Sequence, residues 1–166
     1  TTLPRASAIL GAARTLAAKL LLAVPIDRAA LSEAMTESAG GNDAAGVWQQ
    51  RNSFEALEVA LSLAIPELVG RMDVGAAIST LEALARELPT HTVRSEGQIQ
   101  FQQFSTPPAL ARLAVHMARL SSDDMLLEPS AGTGIIASLA KGTVKELILN
   151  EPEPTRADLI EAVFPG

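Results

Sequence analysis

Met125-Leu126-Leu127-Glu128-Pro129-Ser130-Ala131-Gly132-Thr133-Gly134-Ile135-Ile136 is the stretch whose reading decides the fold. A short apolar run ends on a carboxylate, Glu128. Two glycines follow, and then Ile135, Ile136, Leu139 and Ala140 recur at helical spacing. The order predicts a strand, a glycine turn and a helix start. Glycine admits positive φ and lets a ligand approach where a Cβ would stand in the way. The helix start offers free N–H groups and partial positive charge. A carboxylate at the strand end adds the opposite polarity, which suits a ligand bearing both a cationic group and hydroxyls. A tight turn with no ligand is the ordinary alternative. The third glycine of the dinucleotide fingerprint is missing, and so is the Gly-Lys-Ser/Thr of a phosphate loop. Neither NAD nor ATP is therefore the expected ligand.

Working outward, Lys141-Gly142 reads as a helix C-cap. Glu146 to Asn150 reads as a second strand, and Pro154 opens a helix over Thr155 to Phe164 with Ala157, Leu159, Ile160 and Val163 apolar. Strand, helix, strand, helix implies parallel pairing with a right-handed crossover. Ligands of such sheets bind at the carboxyl ends of the strands, so Glu128 and Glu151 are expected to flank one crevice. Upstream, Pro107-Pro108 fits a first helical turn. Ser105 or Thr106 is the expected cap of a helix over Ala109 to Leu120, which carries His116 as a half-buried surface residue. Ser121 to Asp124 is a turn. Residues 90–100 are polar, broken by Gly97, and read as a linker, with Gln98 to Phe101 extended.

Glu128-Pro129-Ser130-Ala131-Gly132-Thr133-Gly134 resembles motif I of the S-adenosylmethionine-dependent DNA adenine-N6 methyltransferases. Phe104-Ser105-Thr106-Pro107-Pro108, with Leu110, Leu113 and Ala114 after it, resembles that family's motif X. Leu147-Ile148-Leu149-Asn150-Glu151 resembles motif II. The resemblance covers roughly residues 98–166 and implies the first βαβα portion of a Rossmann-like class I methyltransferase domain. It implies S-adenosylmethionine as cofactor, with Glu128 near its ammonium and Glu151 on the ribose hydroxyls. Thr106 would contact the methionine carboxylate. Pro129, Ser130, Ala131, Gly132 and Gly134 would form the loop that passes close to the cofactor. Pro152 stands where relatives carry an aliphatic residue facing adenine. The helical front followed by these motifs is also similar to the start of large bacterial methylase/helicase proteins related to strawberry notch. One part of the family pattern is missing: no [Asp/Asn]-Pro-Pro-[Tyr/Phe] loop occurs, and the only Pro-Pro, Pro107-Pro108, precedes motif I. No catalytic residue is therefore assigned, and this chain alone is expected to be inactive.

Residues 1–89 read as a helical bundle, making the whole chain α plus α/β. Ile9, Leu10, Ala13, Leu16, Ala17, Leu20 and Leu21 share a helical stripe that starts near Pro4 and ends at Pro25. Asp27 is the expected cap of a second helix through Ala30, Leu31, Ala34 and Met35, broken by Gly40-Gly41-Asn42. Asp43 to Gln50 suggests a short helix carrying Trp48, a packing anchor. Ser53 is the expected cap of a long helix through Leu57, Leu61, Ile65 and Leu68, kinked at Pro66. Asp73 is the expected cap of a last one through Ala77, Ile78, Leu81, Leu84 and Leu88. The Glu55/Glu58 and Glu82/Arg86 pairs read as ordinary exposed faces, and His91 as a solvated linker residue.

Composition bounds the rest. Of 166 residues, 48% are hydrophobic and only 3% aromatic, so the core must be aliphatic and alanine-rich. The absence of cysteine removes disulfides and thiolate metal sites, and fits a reducing, cytoplasmic setting. No apolar run is long enough to span a membrane. The formal charge is −6, acids outnumber bases on both sides of residue 97, and no Lys/Arg cluster appears. Grip on nucleic acid normally shows as such a cluster. DNA is thus the expected partner of a full-length protein, with little of the grip supplied here. The start at Thr1 suggests a fragment. A non-catalytic helical interaction module, with its own protein partner and a cofactor- or nucleotide-binding appendage, is the alternative function.

Overall fold

The computed structural model describes residues 5–90 and 105–165. Pro4, His91, most of the expected linker, the extended Gln98–Phe101 stretch and Phe104 lie outside them. Seven helices and one two-stranded parallel sheet make up the described residues. They are α1 (Arg5–Leu21), α2 (Arg28–Ala39), α3 (Gln50–Val69), α4 (Val74–Glu87) and α5 (Pro108–Ala118), then β1 (Met125–Glu128), α6 (Ile135–Ala140), β2 (Glu146–Leu149) and α7 (Pro154–Val163). The chain is mostly helical, with the parallel strand–helix–strand unit placed last.

The stripes dictate the bundle. Ile9, Ala12, Ala13, Leu16, Ala17 and Leu20 of α1 are buried against Ala56, Leu57, Val59, Ala60 and Ala64 of α3 and against Leu31, Ala34 and Met35 of α2. The many alanines remove little side-chain entropy on burial and leave few atoms between neighbouring helices. Two caps form as expected. Asp27 accepts from the Ala30 N–H at 2.8 Å, and Asp73 accepts from the N–H groups of Gly75 and Ala76 at 3.0 and 3.1 Å. α2 ends at Gly40, where the Gly-Gly-Asn break predicts it.

Four local expectations are corrected. Residues 43–49 form turns, not a helix, because Asn42 and Asp43 side chains accept from the Ala45 and Ala44 N–H groups and so compete with helical bonding. Trp48 nonetheless anchors the core, its indole N–H donating to Gly41 O at 2.9 Å. The cap of α3 is Gln49 and not Ser53. Asn52 Oδ1 accepts from the Gln49 N–H at 2.9 Å, while Ser53 Oγ bonds back to Gln50 O. At α5 the cap position is Pro107, and neither Ser105 nor Thr106 caps the helix with its side chain. His116 is exposed, not half-buried.

The strands pair in parallel, Glu128 opposite Leu149. The ladder runs one step further, from Asn150 N to Glu128 O and from Ala131 N to Asn150 O, both 2.9 Å. The glycine turn is thereby pinned to the end of β2. The helical half and the strand unit share their cores. Leu159 of α7 belongs to the cluster of α1–α3. Ile65 and Val69 of α3 and Ala77 and Leu81 of α4 form a second cluster with Ala111 of α5 and Ile135 of α6.

Candidate functional site

The glycine turn is the junction of this architecture. Gly134 N donates to Ala131 O at 2.8 Å, closing the turn, and α6 begins at once. Gly134 has φ +85°, and a Cβ there would overlap the Phe164 ring of α7. Its glycine is demanded by backbone geometry and packing, on the side of the turn facing α7. Gly132 has φ +58°, and a Cβ there would meet only Arg156 Nη1, at 3.8 Å.

A cleft of about 150 Å³ opens beside Gly132. It is walled by Ser105, Thr106, Pro107 and Pro108 ahead of α5 and by Glu128, Ser130, Ala131, Gly132 and Thr133 of the strand end and turn. Glu58 and Leu61 of α3, Ile135 and Arg156 complete it. Of the residues singled out in the sequence, Thr106, Glu128, Ser130, Ala131 and Gly132 meet here. Pro129, Gly134, Glu151 and Pro152 do not line it. Glu151 instead lines a larger neighbouring cavity of about 700 Å³, with Leu149, Asn150 and residues of α7. Pro129 offers its carbonyl to Asn150 Nδ2 at 2.9 Å, and Pro152 is exposed.

The two acids differ in environment. Glu128 is only 9% exposed, and its Oε2 is buried without a hydrogen-bond partner. Burial pushes its carboxyl up to about 7, only partly offset by the Ala137 N–H that donates to it. This side chain turns under the loop into the protein instead of out to solvent. Both oxygens of Glu151 accept from backbone. Its Oε2 accepts from the Gly132 N–H and its Oε1 from the Glu153 N–H, each at 2.9 Å. It does not cap α7, whose cap is Glu153, accepting from the Arg156 N–H at 2.8 Å.

Arg156 is the residue that sequence reasoning missed. Only 3% exposed, it reaches from α7 to α3, with Nε 3.8 Å from Glu55 Oε1 and Nη2 3.4 Å from Glu58 Oε2. Glu55 is buried, bonded by Asn52 Nδ2 at 3.1 Å, and desolvation holds its carboxyl above the ordinary value. The expectation of an exposed Glu55/Glu58 face is therefore overturned, since Arg156 of α7 reaches across to that face of α3. The clue was register. Arg156 shares the apolar stripe of Leu159, Ile160 and Val163, and Glu55 stands one turn before Val59 among the apolar residues of α3. A charge inside each of two apolar stripes is a candidate pair. The Glu82/Arg86 pair, by contrast, is exposed as expected, at 3.6 Å.

Among the described residues no cluster of His, Asp or Glu is arranged to hold a metal ion, and no helix is long and apolar enough to cross a membrane. Chemically, the cleft offers a buried acid with a free oxygen, hydroxyls from Ser105, Thr106, Ser130 and Thr133, and a glycine backbone. That set suits a small polar ligand. No protein-family model, curated protein or solved structure matches this chain.

Proposed function

We propose that this chain is the front part of an S-adenosylmethionine-dependent DNA adenine-N6 methyltransferase, and that it contributes cofactor binding. The observation that carries the reading is the composition of the cleft. Residues 105–108 and, with Glu128, residues 130–133, from the two stretches resembling motifs X and I, lie apart in sequence and wall the same space. At about 150 Å³ the space is smaller than the roughly 300–1,000 Å³ that holds a drug-sized ligand. It suits the amino-acid end of the cofactor. Glu128 would take the ammonium and the Thr106 region the carboxylate, with Gly132 admitting close passage of the chain. The ribose would then lie toward Glu151 and the adenine toward Pro152. Glu151 already bonds two N–H groups, but a carboxylate has about four acceptor positions, so ribose hydroxyls can share it.

None of the 166 residues forms an [Asp/Asn]-Pro-Pro-[Tyr/Phe] loop, so the reading assigns contact with the extruded base to other residues of the full-length protein. The even spread of acidic charge assigns the main DNA grip elsewhere too, and the lack of cysteine accords with a cytoplasmic setting. The same missing loop favours the second reading, a helical interaction module whose appendage binds cofactor without catalysis. Transfer of labelled methyl to mixed-sequence DNA by the full-length protein separates them. The binding claim is tested on the chain itself by titrating S-adenosylhomocysteine against its amide spectrum. Shifts are expected at Thr106, Gly132, Thr133 and Glu151, with Kd on the order of 1 mM. A silent spectrum at several millimolar would sink the assignment.

A further inference from the structure

The cleft has a wall that neither motif supplies. Glu58 comes from α3, in the middle of the helical half, and stands across from the turn residues. Its Oε2 lies 3.5 Å from Thr133 Oγ1 and 3.4 Å from Arg156 Nη2. Both contacts are longer than the 2.7–3.2 Å of well-formed hydrogen bonds, so the carboxylate keeps capacity for a further donor. Arg156 does not depend on it alone, because Glu55 Oε1 lies 3.8 Å from its Nε. Two carboxylates, Glu55 and Glu58, thus pair with one guanidinium, Glu128 lines the same cleft, and Arg156 is the sole Lys or Arg among the described residues lining it. Independently, Glu128 is more than nine-tenths buried and has an unpartnered Oε2 on the same cleft.

We infer that the cleft is a two-acid site for a ligand ammonium, with Glu58 as the helical half's ligand-binding residue opposite Glu128. The inference rests on the cofactor reading for the identity of the natural ligand, an adenosyl amino acid, but not for the charge it recognises. It makes the helical half part of the binding site: α3 supplies one ligand contact, held in place by its packing against α6 and by its ion pairs with Arg156 of α7.

The test titrates the full chain and Glu58→Gln with two probes, S-adenosylhomocysteine and L-methioninamide. The second carries the ammonium without nucleoside or carboxylate. Loss of a charge-assisted contact at this half-exposed position should weaken both probes about tenfold. Glu55→Gln, which touches Arg156 behind the cleft, should weaken them far less. Equal affinity of the full chain and Glu58→Gln for S-adenosylhomocysteine would overturn the inference and leave the cofactor reading standing. Methioninamide binding that depends on Glu58, with no response to S-adenosylhomocysteine, would do the reverse. Failure of both probes on the full chain would remove both. Should Glu58→Gln fold poorly, the Glu58 side-chain carboxyl carbon can be followed in the unmodified chain. Its resonance must move as either probe binds, and a static resonance at saturation would overturn the inference.

Discussion

The two halves of the molecule bury different kinds of residue. In α1 to α4, burial follows hydrophobicity: Ile9, Leu16, Leu31, Ile65 and Leu81 are sealed, and the charged residues mostly face water. In the strand unit the order is inverted at the key place. β1 buries its acid, Glu128, and leaves Met125 59% and Leu127 61% exposed, with Ile148 of β2 beside them. Strand side chains alternate between faces, so Leu126 and Glu128 turn one way and Met125 and Leu127 the other. Parallel strands normally have both faces covered, and here helices cover one. The bundle is organised by the hydrophobic effect, whereas in the strand unit an acid takes the buried place that an apolar side chain takes in the bundle. Four predictions probe that contrast, taken from the largest effect down.

The joint between the halves should be the most sensitive point. Arg156→Met leaves Glu55 and Glu58 facing each other without a cation. Removing one member of a buried pair costs about 3–5 kcal/mol, and urea unfolding at pH 8 should show a loss in that range. At pH 5 the loss should be smaller, because Glu55, whose carboxyl burial already pushes up, can take a proton. A loss below about 1 kcal/mol at both pH values would mean the pair is no joint at all. Next comes the bundle core. Leu16→Ala empties a sealed position of α1 and should cost about 3 kcal/mol, read from the same unfolding curves.

Third is the buried acid. Below its unfolded-state value of 4.5, Glu128 is protonated whether the chain is folded or not. As pH rises through 4.5 the unfolded chain releases the proton while the folded one keeps it until about 7. Stability from this group therefore falls across that window and is level above it. At about 1.4 kcal/mol per pH unit the loss is at most about 3 kcal/mol, reduced by any water that reaches the cleft. Glu128→Gln cannot titrate. Its stability relative to the parent should rise between pH 5 and 8, and a difference that stays flat with pH would show that Glu128 is solvated.

How much of this was legible in the sequence follows from the same contrast. The stripes of α1 to α4 and the caps Asp27 and Asp73 are local patterns, and local patterns survive folding. Strand, turn, helix and strand were legible for the same reason, down to parallel pairing. At residues 43–49 two side chains that bond their own backbone outweighed helical propensity. What needed tertiary structure was orientation. Nothing in the spacing around Glu128 says that its side chain turns under the loop, and only the tertiary meeting of Arg156 with α3 shows that Glu58 and Arg156 border the cleft. Glu151 was placed at the right strand end, yet its bond to the Gly132 N–H depends on how tightly the turn folds back on β2.

The smallest expected effect lies on the bare face of the strands. Leu127→Thr removes apolar surface already in water, so it forfeits little burial, while β-branched threonine suits an extended backbone. Stability should change by no more than about 0.5 kcal/mol, against about 3 kcal/mol for Leu16→Ala, though each change trims a leucine. The uncovered face, Met125 and Leu127 with Ile148 next to them, should also lose affinity for a fluorescent hydrophobic dye once threonine replaces its middle residue. A loss near that of Leu16→Ala would mean that Leu127 is covered in solution. The sheet would then be packed on both faces, and the inversion that sets the strand unit apart from the bundle would be confined to Glu128.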